Sequence, residues 1–565
     1  MGFDLRPYQR QIIDGAKDCL AKHRSTLAVS PTGTGKTVTF VHLANEWHQE
    51  TGKRVCIAAH REELVFQTAE KLEAITKEIP GVEMGDFRTG NNHSPFLVTS
   101  IQSMSRPNRL TRFDPERFGL LIVDEAHHCV PRCKTYNAVV EHFQQNPALK
   151  LFGCTATPDR LDESALGQMF ESVCYECQLP DAIADGWLVD VEQRFVQVES
   201  MDLSLVRKQG DDFNEGDLAA VMSEKVLHEI ARPTFELAGD EPTLIFTPQR
   251  KRRERDPETG EMPPMEPSPA EIIARILNGY RDGCAVALDA DTPKEDRRRE
   301  INRFREGSRQ FMVSCGLFLE GFDAPNTSVI AMARPTLSRS LYNQAIGRGT
   351  RPLAGVVDGI EESAGRCNAI RWSAKKRVLV LDFVGQSGRH KLINTADILG
   401  GQYDDDVIEL AKKIVKKSNS SKSMLAALKE AEESIEEYQR QQIRKRLEVK
   451  ANYRISSVSP FDLFARKPKR CPGWHAGRAA TAKQMAALRR FKVDESALVG
   501  MDFWKASQML DLLVKRCDQQ LCTVKQAKIL AKNGVDPSNV GFSRASELID
   551  MIAKNGWKLP KGIMA

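Results

Sequence analysis

The 565-residue sequence has no apolar run near the roughly 18 residues that a helix needs to cross a bilayer. Its first residues, Met1–Arg6, contain no apolar signal-peptide core, so we expect a cytoplasmic protein without a membrane partner. Aromatic residues are few, at 7%, but the hydrophobic content of 41% is enough for packed cores. A chain of this length is expected to form three or four domains.

The sequence also lacks a regular cysteine pattern. Its 13 cysteines are irregularly spaced and several lie inside apolar segments, which indicates reduced thiols rather than a disulfide framework. The close pairs Cys129/Cys133 and Cys174/Cys177 could build a four-thiolate zinc site, but the second pair has no turn-forming residue between its members. Buried thiols are the preferred interpretation, and no zinc is expected.

The net charge of +5 is small but unevenly distributed. Residues 461–565 hold 19 Lys and Arg against 9 Asp and Glu, whereas the remaining chain carries a net negative charge. A basic end attracts polyanions such as nucleic acid. The alternative is a solvated surface that only keeps the protein in solution.

A glycine-bearing loop follows the first apolar segment of the chain. Directly after Leu27-Ala28-Val29 comes the run Ser30-Pro31-Thr32-Gly33-Thr34-Gly35-Lys36-Thr37. The glycines let backbone N–H groups approach phosphate oxygens, Lys36 supplies a positive charge, and Thr37 supplies a hydroxyl for Mg²⁺. Ser30 stands where this motif has its first glycine. The run therefore predicts a nucleotide phosphate site between a strand and a helix.

A pair of carboxylates follows another apolar segment, 87 residues after Thr37. Leu120-Leu121-Ile122-Val123 leads into Asp124-Glu125-Ala126-His127. Asp124 is expected to complete the Mg²⁺ site, and Glu125 to polarise the attacking water. The alternative is an acidic helix cap after a strand. Together with the glycine-bearing loop, the pair predicts hydrolysis of a nucleotide.

Apolar strands and amphipathic helices alternate in two cycles, over residues 1–185 and 186–402, which predicts two tandem α/β domains with parallel sheets. Residues 403–456 are predicted to form a charged helical linker, and residues 457–478 a basic hinge. A proline- and arginine-rich loop interrupts the second cycle. Its segment Arg250–Pro264 either contacts a nucleic-acid backbone or is a passive insertion.

The last segment, residues 479–565, contains an internal duplication. A first set of residues recurs 42 residues later: Thr481, Lys483, Gln484 and Leu488 return as Thr523, Lys525, Gln526 and Leu530. After a slip of three residues, a second set follows: Phe503, Ser507 and Asp511 return as Phe542, Ser546 and Asp550. Each copy is predicted to be a helical hairpin whose first helix begins at the threonine and whose second is capped near Ser507 or Ser546. The copies are predicted to form a module that binds DNA or a protein partner, and the alternative is a purely structural cap.

Other polar segments occur in a fixed order beside these motifs. They are Leu5-Arg6-Pro7-Tyr8-Gln9, His60-Arg61-Glu62, Thr99-Ser100-Ile101-Gln102, Thr155-Ala156-Thr157-Pro158, Glu320-Gly321-Phe322-Asp323 and Gln344-Ala345-Ile346-Gly347-Arg348-Gly349-Thr350-Arg351. In order and spacing the set resembles superfamily 2 helicases and translocases over residues 3–385. Within it, the chain looks most similar to DEAD/DEAH-box proteins of the RadD and phage type.

The resemblance implies two RecA-like domains with ATP in the cleft between them, followed by the helical linker and a small all-α repeat domain. Matched position by position, it implies adenine recognition by Gln9 and binding of phosphate and Mg²⁺ by Lys36 and Thr37. Asp124 and Glu125 would hold the metal and activate water, and with Lys36 they are the catalytic residues of the first domain. The further nucleotide-binding residues are Arg6, Pro31, Thr32, Gly33, Thr34 and Gly35. Gln344, Arg348 and Arg351 match the arginine-finger motif. Asp323 matches a residue at the ribose side, and Gly321 is a further nucleotide-binding residue.

For nucleic acid, the resemblance implies backbone contacts at His60, Arg61, Thr99, Ser100 and Gln102. Thr155 and Thr157 match the residues that couple hydrolysis to domain movement. Ser314-Cys315 departs from the Thr-Asp or Thr-Glu of many relatives.

The leading hypothesis is an ATP-dependent DNA helicase acting in repair, recombination or replication, on single-stranded or forked DNA, with RNA left open. One alternative is a double-strand translocase that does not separate strands. Another is an ATP-gated nucleic-acid scaffold.

Overall fold

The structure is a computed structural model that describes residues 5–60, 62–89, 93–129, 133–156, 166–210, 212–249, 266–289, 292–314, 324–386, 392–399, 403, 405–417, 423–435, 437, 459–464, 471 and 473–558. The chain divides into two compact units, one of Met1–Gly401 with Val415–Ala426 and one of Gln402–Ile414 with Ala427–Ala565. Across the described ranges, no helix combines the length and apolar character that a membrane span requires.

The first sheet of the larger unit contains seven parallel strands. They are β1 Ser25–Val29, β2 Arg54–Ala59, β3 Gly81–Glu83, β4 Phe96–Ser100, β5 Phe118–Asp124, β6 Lys150–Thr155 and β7 Ser172–Glu176. Their order is β3-β4-β2-β5-β6-β1-β7. The accompanying helices are Pro7–Lys22, Lys36–Thr51, Glu62–Thr76, Ile101–Met104, Pro107–Leu110, Lys134–Phe143 and Leu179–Ala184. Strands β1, β2, β4 and β5 are almost wholly buried, as expected for a parallel sheet covered by helices.

The second sheet contains six parallel strands, which are β8 Asp190–Asp202, β11 Thr243–Phe246, β12 Ala285–Leu288, β13 Phe311–Ser314, β14 Val329–Met332 and β15 Arg377–Gln386. Their order is β12-β13-β11-β14-β15-β8. A separate hairpin consists of β9 Lys208–Gln209 and β10 Asp212–Phe213. The helices are Glu215–Val221, Glu224–Ala238, Pro269–Tyr280, Lys294–Arg305, Arg339–Gly349, Ser363–Trp372 and Thr395–Leu399. The predicted pair of α/β domains is therefore confirmed.

The parallel arrangement places chemistry at one edge of the first sheet. The carboxyl ends of parallel strands lie at the same edge, and ligands in such folds bind there. Strand β6 separates β1, which leads into the glycine-bearing loop, from β5, which ends at Asp124. Two segments that are distant in sequence thus reach the same end of the sheet.

The remaining helices are Asp405–Lys417, 424–435, Pro460–Leu463, Ala482–Arg490, Glu495–Leu498, Phe503–Asp518, Val524–Lys532 and Phe542–Lys554. Among the described residues of the predicted helical linker, residues 405–417 and 424–435 are helical, whereas Tyr403 and Ser423 are not. Residues of the predicted hinge pack into the core of the smaller unit, because Phe461 and Phe464 are buried against residues of both repeats. The Arg516 guanidinium lies 3.7 Å from the centre of the Phe464 ring.

The repeats begin as predicted but continue differently. Thr481 and Thr523 each cap their helix, and Gln484 and Gln526 complete a capping box in each copy. The second helices start earlier than predicted, after Asp502 and Gly541.

Ser507 and Ser546 are therefore not caps. Each lies one turn inside its helix, where its hydroxyl accepts a hydrogen bond from Gln484 or Gln526, at 2.7 and 2.9 Å. In each repeat, the first turn of the helix that follows the capping threonine therefore lies beside the first turn of the helix that carries the serine.

Candidate nucleotide-hydrolysis site

The loop after β1 has the backbone conformation that its glycines permit. Gly33 and Gly35 have φ angles of +95° and +76°, and Gly35 occupies the cap position of the helix Lys36–Thr51. The loop therefore delivers its backbone to the amino-terminal end of a long helix, where N–H groups and the helix dipole favour an anion. Lys36 Nζ donates to Ser30 O across the loop at 3.4 Å.

Ser30 has a structural role where the motif ordinarily has glycine. Its hydroxyl lies 2.7 Å from Thr34 Oγ1, which also donates to Pro31 O at 2.7 Å. Ser30 is 1% exposed, so this side chain fills the inside of the loop. The departure therefore stabilises the loop by a hydrogen bond between two of its side chains.

The amino-terminal segment is tied to the same loop. Tyr8 donates its hydroxyl hydrogen to Thr34 O at 2.6 Å, and Gln9 Nε2 donates to the same carbonyl at 3.1 Å. Gln9 Oε1 accepts from Arg6 N at 2.9 Å. The predicted adenine-reading amide is thus held against the phosphate loop. Tyr8 is a contact that the sequence analysis left without a role, although it stands beside Gln9.

The carboxylates after β5 lie in a buried polar cluster. Asp124 Oδ1 accepts from the Glu125 backbone N–H at 2.9 Å, and Glu125 has a left-handed backbone with φ +49°. Glu125 Oε2 lies 3.3 Å from His127 Nδ1. The same His127 nitrogen lies 3.1 Å from Thr155 Oγ1, at the end of β6. His127 therefore connects the predicted catalytic glutamate to the predicted coupling threonine.

Opposing influences act on the Glu125 carboxyl. Burial alone would raise its pKa, but the charge of Lys36, the hydrogen bond with His127 and the nearby His128 lower the pKa well below the usual range. Glu125 is consequently ionised at neutral pH, the state in which a carboxylate orients a water or accepts its proton.

The helix Arg339–Gly349 of the second sheet packs directly on the phosphate loop. A Cβ atom on Gly347 would lie 2.4 Å from Thr32 Cβ, and one on Gly33 would lie 3.1 Å from Arg351 Cγ. Gln344 and Arg348, on the same helix, are 7% and 8% exposed. The two α/β domains therefore meet at a seam, which we define as the contact of residues 32–33 with residues 347–351.

A cleft of about 960 Å³ opens at this seam. It is lined from the first domain by Arg6, Gln9, Thr32, Gly33, Thr34, Gly35, Lys36, Thr37, Asp124 and Glu125, and from the second by Pro325, Arg348, Arg351 and Asp358. The volume is within the usual range for small-molecule sites. Every predicted phosphate-binding and catalytic residue that the structure describes, apart from Pro31 and Gln344, borders this one cleft.

The residues fit a nucleotide with Mg²⁺. Thr32 Oγ1 is buried beside the cleft and has no hydrogen-bond partner among the described residues, so a polar ligand would satisfy it. Within those ranges no cluster of three or more His, Cys, Asp and Glu residues is arranged to hold a metal. A magnesium ion would therefore depend on the Thr37 hydroxyl and the Asp124 carboxylate together with phosphate oxygens.

The predicted nucleic-acid residues have different environments. Thr99 is fully buried and donates to Glu83 O at 2.9 Å, so its side chain is not placed for such a contact. Ser100, 5% exposed, caps the short helix Ile101–Met104. His60 is half-buried, whereas Gln102 is exposed and its Nε2 lies 3.2 Å from His60 Nδ1. His60 and Gln102 thus remain the accessible pair.

Several predicted residues lie outside the described ranges. They are Arg61, Thr157, Gly321, Asp323 and the segment Arg250–Pro264.

The sequence analysis did not predict two contacts at the cleft, one ionic and one aromatic. Arg6 forms an ion pair with Asp358 at 2.9 Å, which joins the amino-terminal segment to the second domain. Trp187 packs edge-on against Tyr8, with ring centres 5.0 Å apart. No motif marks Trp187 or Asp358, because their partners are far away in the chain.

Two families of known proteins match parts of this chain. Residues 2–160 match the family described as the res subunit of type III restriction enzymes, and residues 224–352 match the helicase conserved C-terminal domain. A Saccharomyces cerevisiae protein provisionally named ATP-dependent helicase IRC3 is 28% identical over 414 residues, which cover 71% of this chain and 54% of that protein.

A Halobacterium salinarum protein provisionally named DNA 3'-5' helicase Rad25 is 24% identical over 359 residues, covering 62% of this chain and 52% of that protein. The solved ATP-dependent Type ISP restriction-modification enzyme LlaBIII bound to DNA has a TM-score of 0.48 and 14% identity, covering 98% of this chain and 40% of that one. The chain spans about half the length of the two curated relatives.

Proposed function

We infer that this chain, which belongs to superfamily 2 of the helicases, hydrolyses ATP at the seam and uses the cycle to move along DNA and unwind it. The observation that carries the proposal is that one cleft is bordered by Lys36, Asp124 and Glu125 from one domain and by Arg348 and Arg351 from the other. A site shared between two domains can make their separation depend on what is bound.

In this mechanism each residue has a defined task. Lys36 and the backbone of the glycine-bearing loop hold the β- and γ-phosphates. Thr37 and Asp124 would hold Mg²⁺, which would neutralise phosphate charge. Glu125, ionised at neutral pH, orients the attacking water. Arg348 and Arg351 stabilise the charge that develops on the transferred phosphate.

In this proposal, hydrolysis drives movement of the two domains through the seam. With ATP bound, both domains contact the same phosphates, and loss of the γ-phosphate removes the arginines' ligand. His127, between Glu125 and Thr155, supplies a path from the water-activating carboxylate to the end of β6.

DNA is the proposed substrate because of two independent supports. The Halobacterium relative is named for a DNA helicase activity. The last 105 residues of this chain carry an excess of positive charge that suits a polyanion. The role in repair, recombination or replication, and a partner bound through the repeats, extend the same proposal.

The test measures ATP hydrolysis and strand displacement by the full chain, with single-stranded DNA, forked DNA and RNA as separate activators. We expect hydrolysis stimulated by DNA and displacement of one strand from the fork. Glu125→Gln should retain ATP binding and lower turnover by at least about 100-fold. Glu116→Gln, an identical change at an exposed position, should behave as wild type.

Persistent hydrolysis by Glu125→Gln would contradict the assigned role of this carboxylate. DNA-stimulated hydrolysis without strand displacement would favour the double-strand translocase, and binding that hydrolysis merely resets would favour the scaffold.

A further inference from the structure

A buried lysine outside the predicted motifs touches two segments of the cleft. Lys375 Nζ donates to Arg351 O and to Pro325 O, each at 2.7 Å. The residue is 3% exposed. Arg351 and Pro325 both line the cleft. One side chain therefore fastens two backbone segments that approach the proposed ATP site from the same domain.

The backbone of Lys375 is itself held in place. Ser373, which follows the helix Ser363–Trp372, accepts a hydrogen bond from Lys375 N at 3.2 Å and donates to Lys375 O at 2.8 Å. Strand β15 begins two residues later, at Arg377. The lysine thus projects from a turn that is anchored on both sides by regular structure.

The Arg351 end of this contact reaches the seam. Arg351 packs so closely on the phosphate loop that a Cβ atom on Gly33 would lie 3.1 Å from its Cγ. Holding the carbonyl of Arg351 limits where its own guanidinium can point. A loss of the hydrogen bond from Lys375 would therefore change the approach of that guanidinium to the phosphate loop.

Stability alone does not account for a lysine here. Burial, and then the charge of Arg351, lower the pKa of Lys375 to about 7. Its hydrogen bonds in the described chain go to backbone carbonyls rather than to a carboxylate. Burying a lysine amine against carbonyls costs folding free energy, and such costs are concentrated at functional sites.

We propose that Lys375 is a positioning residue, which holds the carbonyls of Arg351 and Pro325 so that Arg351 is aimed at the γ-phosphate of bound ATP. The proposal rests on the proposed function, since it needs ATP hydrolysis at the seam. It adds a residue from the turn before β15 to the machinery of the second domain.

The experiment compares three variants in DNA-stimulated ATP hydrolysis. Lys375→Met removes every donor while keeping an unbranched side chain, and Lys375→Gln keeps N–H donors on a neutral one. Lys376→Met makes the same change at the next residue, which is exposed. A misplacement of about 1 Å can lower a rate by two orders of magnitude. We expect Lys375→Met to lower kcat at least about tenfold while KM for ATP changes less than about threefold.

Lys375→Gln should fall between Lys375→Met and wild type, and Lys376→Met should match wild type. Thermal unfolding reports whether each variant is folded. If Lys375→Met does not fold, Lys375→Gln decides: a lower kcat with KM kept supports the proposal, and wild-type kcat overturns it.

Unchanged kcat in folded Lys375→Met, or an equal loss in Lys376→Met, would also overturn the positioning role while leaving the proposed function intact. Absence of any ATP hydrolysis by the wild-type chain would instead overturn the proposed function, and the role of Lys375 with it.

Discussion

The seam predicts that a single methyl group added at Gly347 will slow ATP hydrolysis. Gly347 lies in the helix that carries Gln344 and Arg348. An added Cβ would lie 2.4 Å from Thr32 Cβ and 2.9 Å from Thr32 Cγ2. Non-bonded carbon atoms ordinarily stay about 3.5–4.0 Å apart. Gly347→Ala must therefore push the helix and the phosphate loop apart by on the order of 1 Å.

The size of the effect follows from that displacement. A shift of about 1 Å between catalytic groups can cost about 100-fold in rate. Alanine is also favoured over glycine inside a helix by about 1 kcal/mol, so the helix itself should not be weakened. We expect Gly347→Ala to lower kcat between 10- and 100-fold, by about 1.4 to 2.7 kcal/mol in barrier height, with a nearly unchanged unfolding temperature.

Steady-state ATP hydrolysis with saturating DNA is the assay. Gly279→Ala is the matched control, because Gly279 also lies in a helix and an added Cβ there meets nothing within 4 Å. Thr32→Gly removes the opposing Cβ, so the double variant with Gly347→Ala should lose less than the two single losses combined. A kcat within twofold of wild type in Gly347→Ala would refute the idea that the seam must close tightly.

Three further predictions concern stability. Burial raises the pKa of Asp382 to about 7, so the folded state binds a proton that the unfolded state has lost. Wild-type stability should therefore fall from about pH 4 to pH 7, by roughly 4 kcal/mol at most. Thermal unfolding across that range should show that Asp382→Asn abolishes this loss. The pKa of Lys375 is lowered, so the unfolded state binds the extra proton and wild-type stability should rise from about pH 7 to pH 10. Lys375→Met should remove this rise. The same slope of stability against pH in both proteins would contradict the lowered pKa of Lys375. Arg516 is 6% exposed, donates to Pro537 O at 3.0 Å and covers Phe464. Arg516→Ala should therefore destabilise the smaller unit by about 3 kcal/mol, measured by protease resistance. Arg490 is exposed, so Arg490→Ala should not destabilise it.

The two sheets could be predicted because their strands are short apolar runs between helical patterns. Segments such as Leu120–Val123 are apolar at every position, as a strand buried on both faces requires. Strand β3 and the hairpin of β9 and β10 escaped prediction because two or three residues carry no measurable period. Strand β7 escaped because polar residues interrupt its apolar ones.

The cleft could be predicted only as far as short motifs record it. Lys36, Asp124 and Glu125 stand in local patterns whose chemistry is fixed by spacing. Their roles, like those of the arginines, remain predictions until the variants are measured. Lys375 sits in the run Ser373-Ala374-Lys375-Lys376-Arg377, which looks like a solvated surface, and only the fold shows that one of these cations is buried.

The repeats show a second limit of sequence reasoning. The threonine caps were predicted correctly because a capping box is local. The prediction of Ser507 as a cap is wrong because its hydrogen-bond partner, Gln484, lies on another helix, Ala482–Arg490. Contacts between helices leave no signature in the spacing of either one.

Trp187 is an intrinsic fluorescence probe near the seam. This indole is one of six in the chain, and two guanidiniums contact its ring, with Arg366 3.8 Å and Arg6 5.3 Å from the ring centre. Arg6 belongs to the amino-terminal segment, and Arg366 to the second domain. Any rearrangement that moves these cations relative to the ring alters the electric field across it. Its fluorescence should therefore follow the seam in real time, without an attached dye.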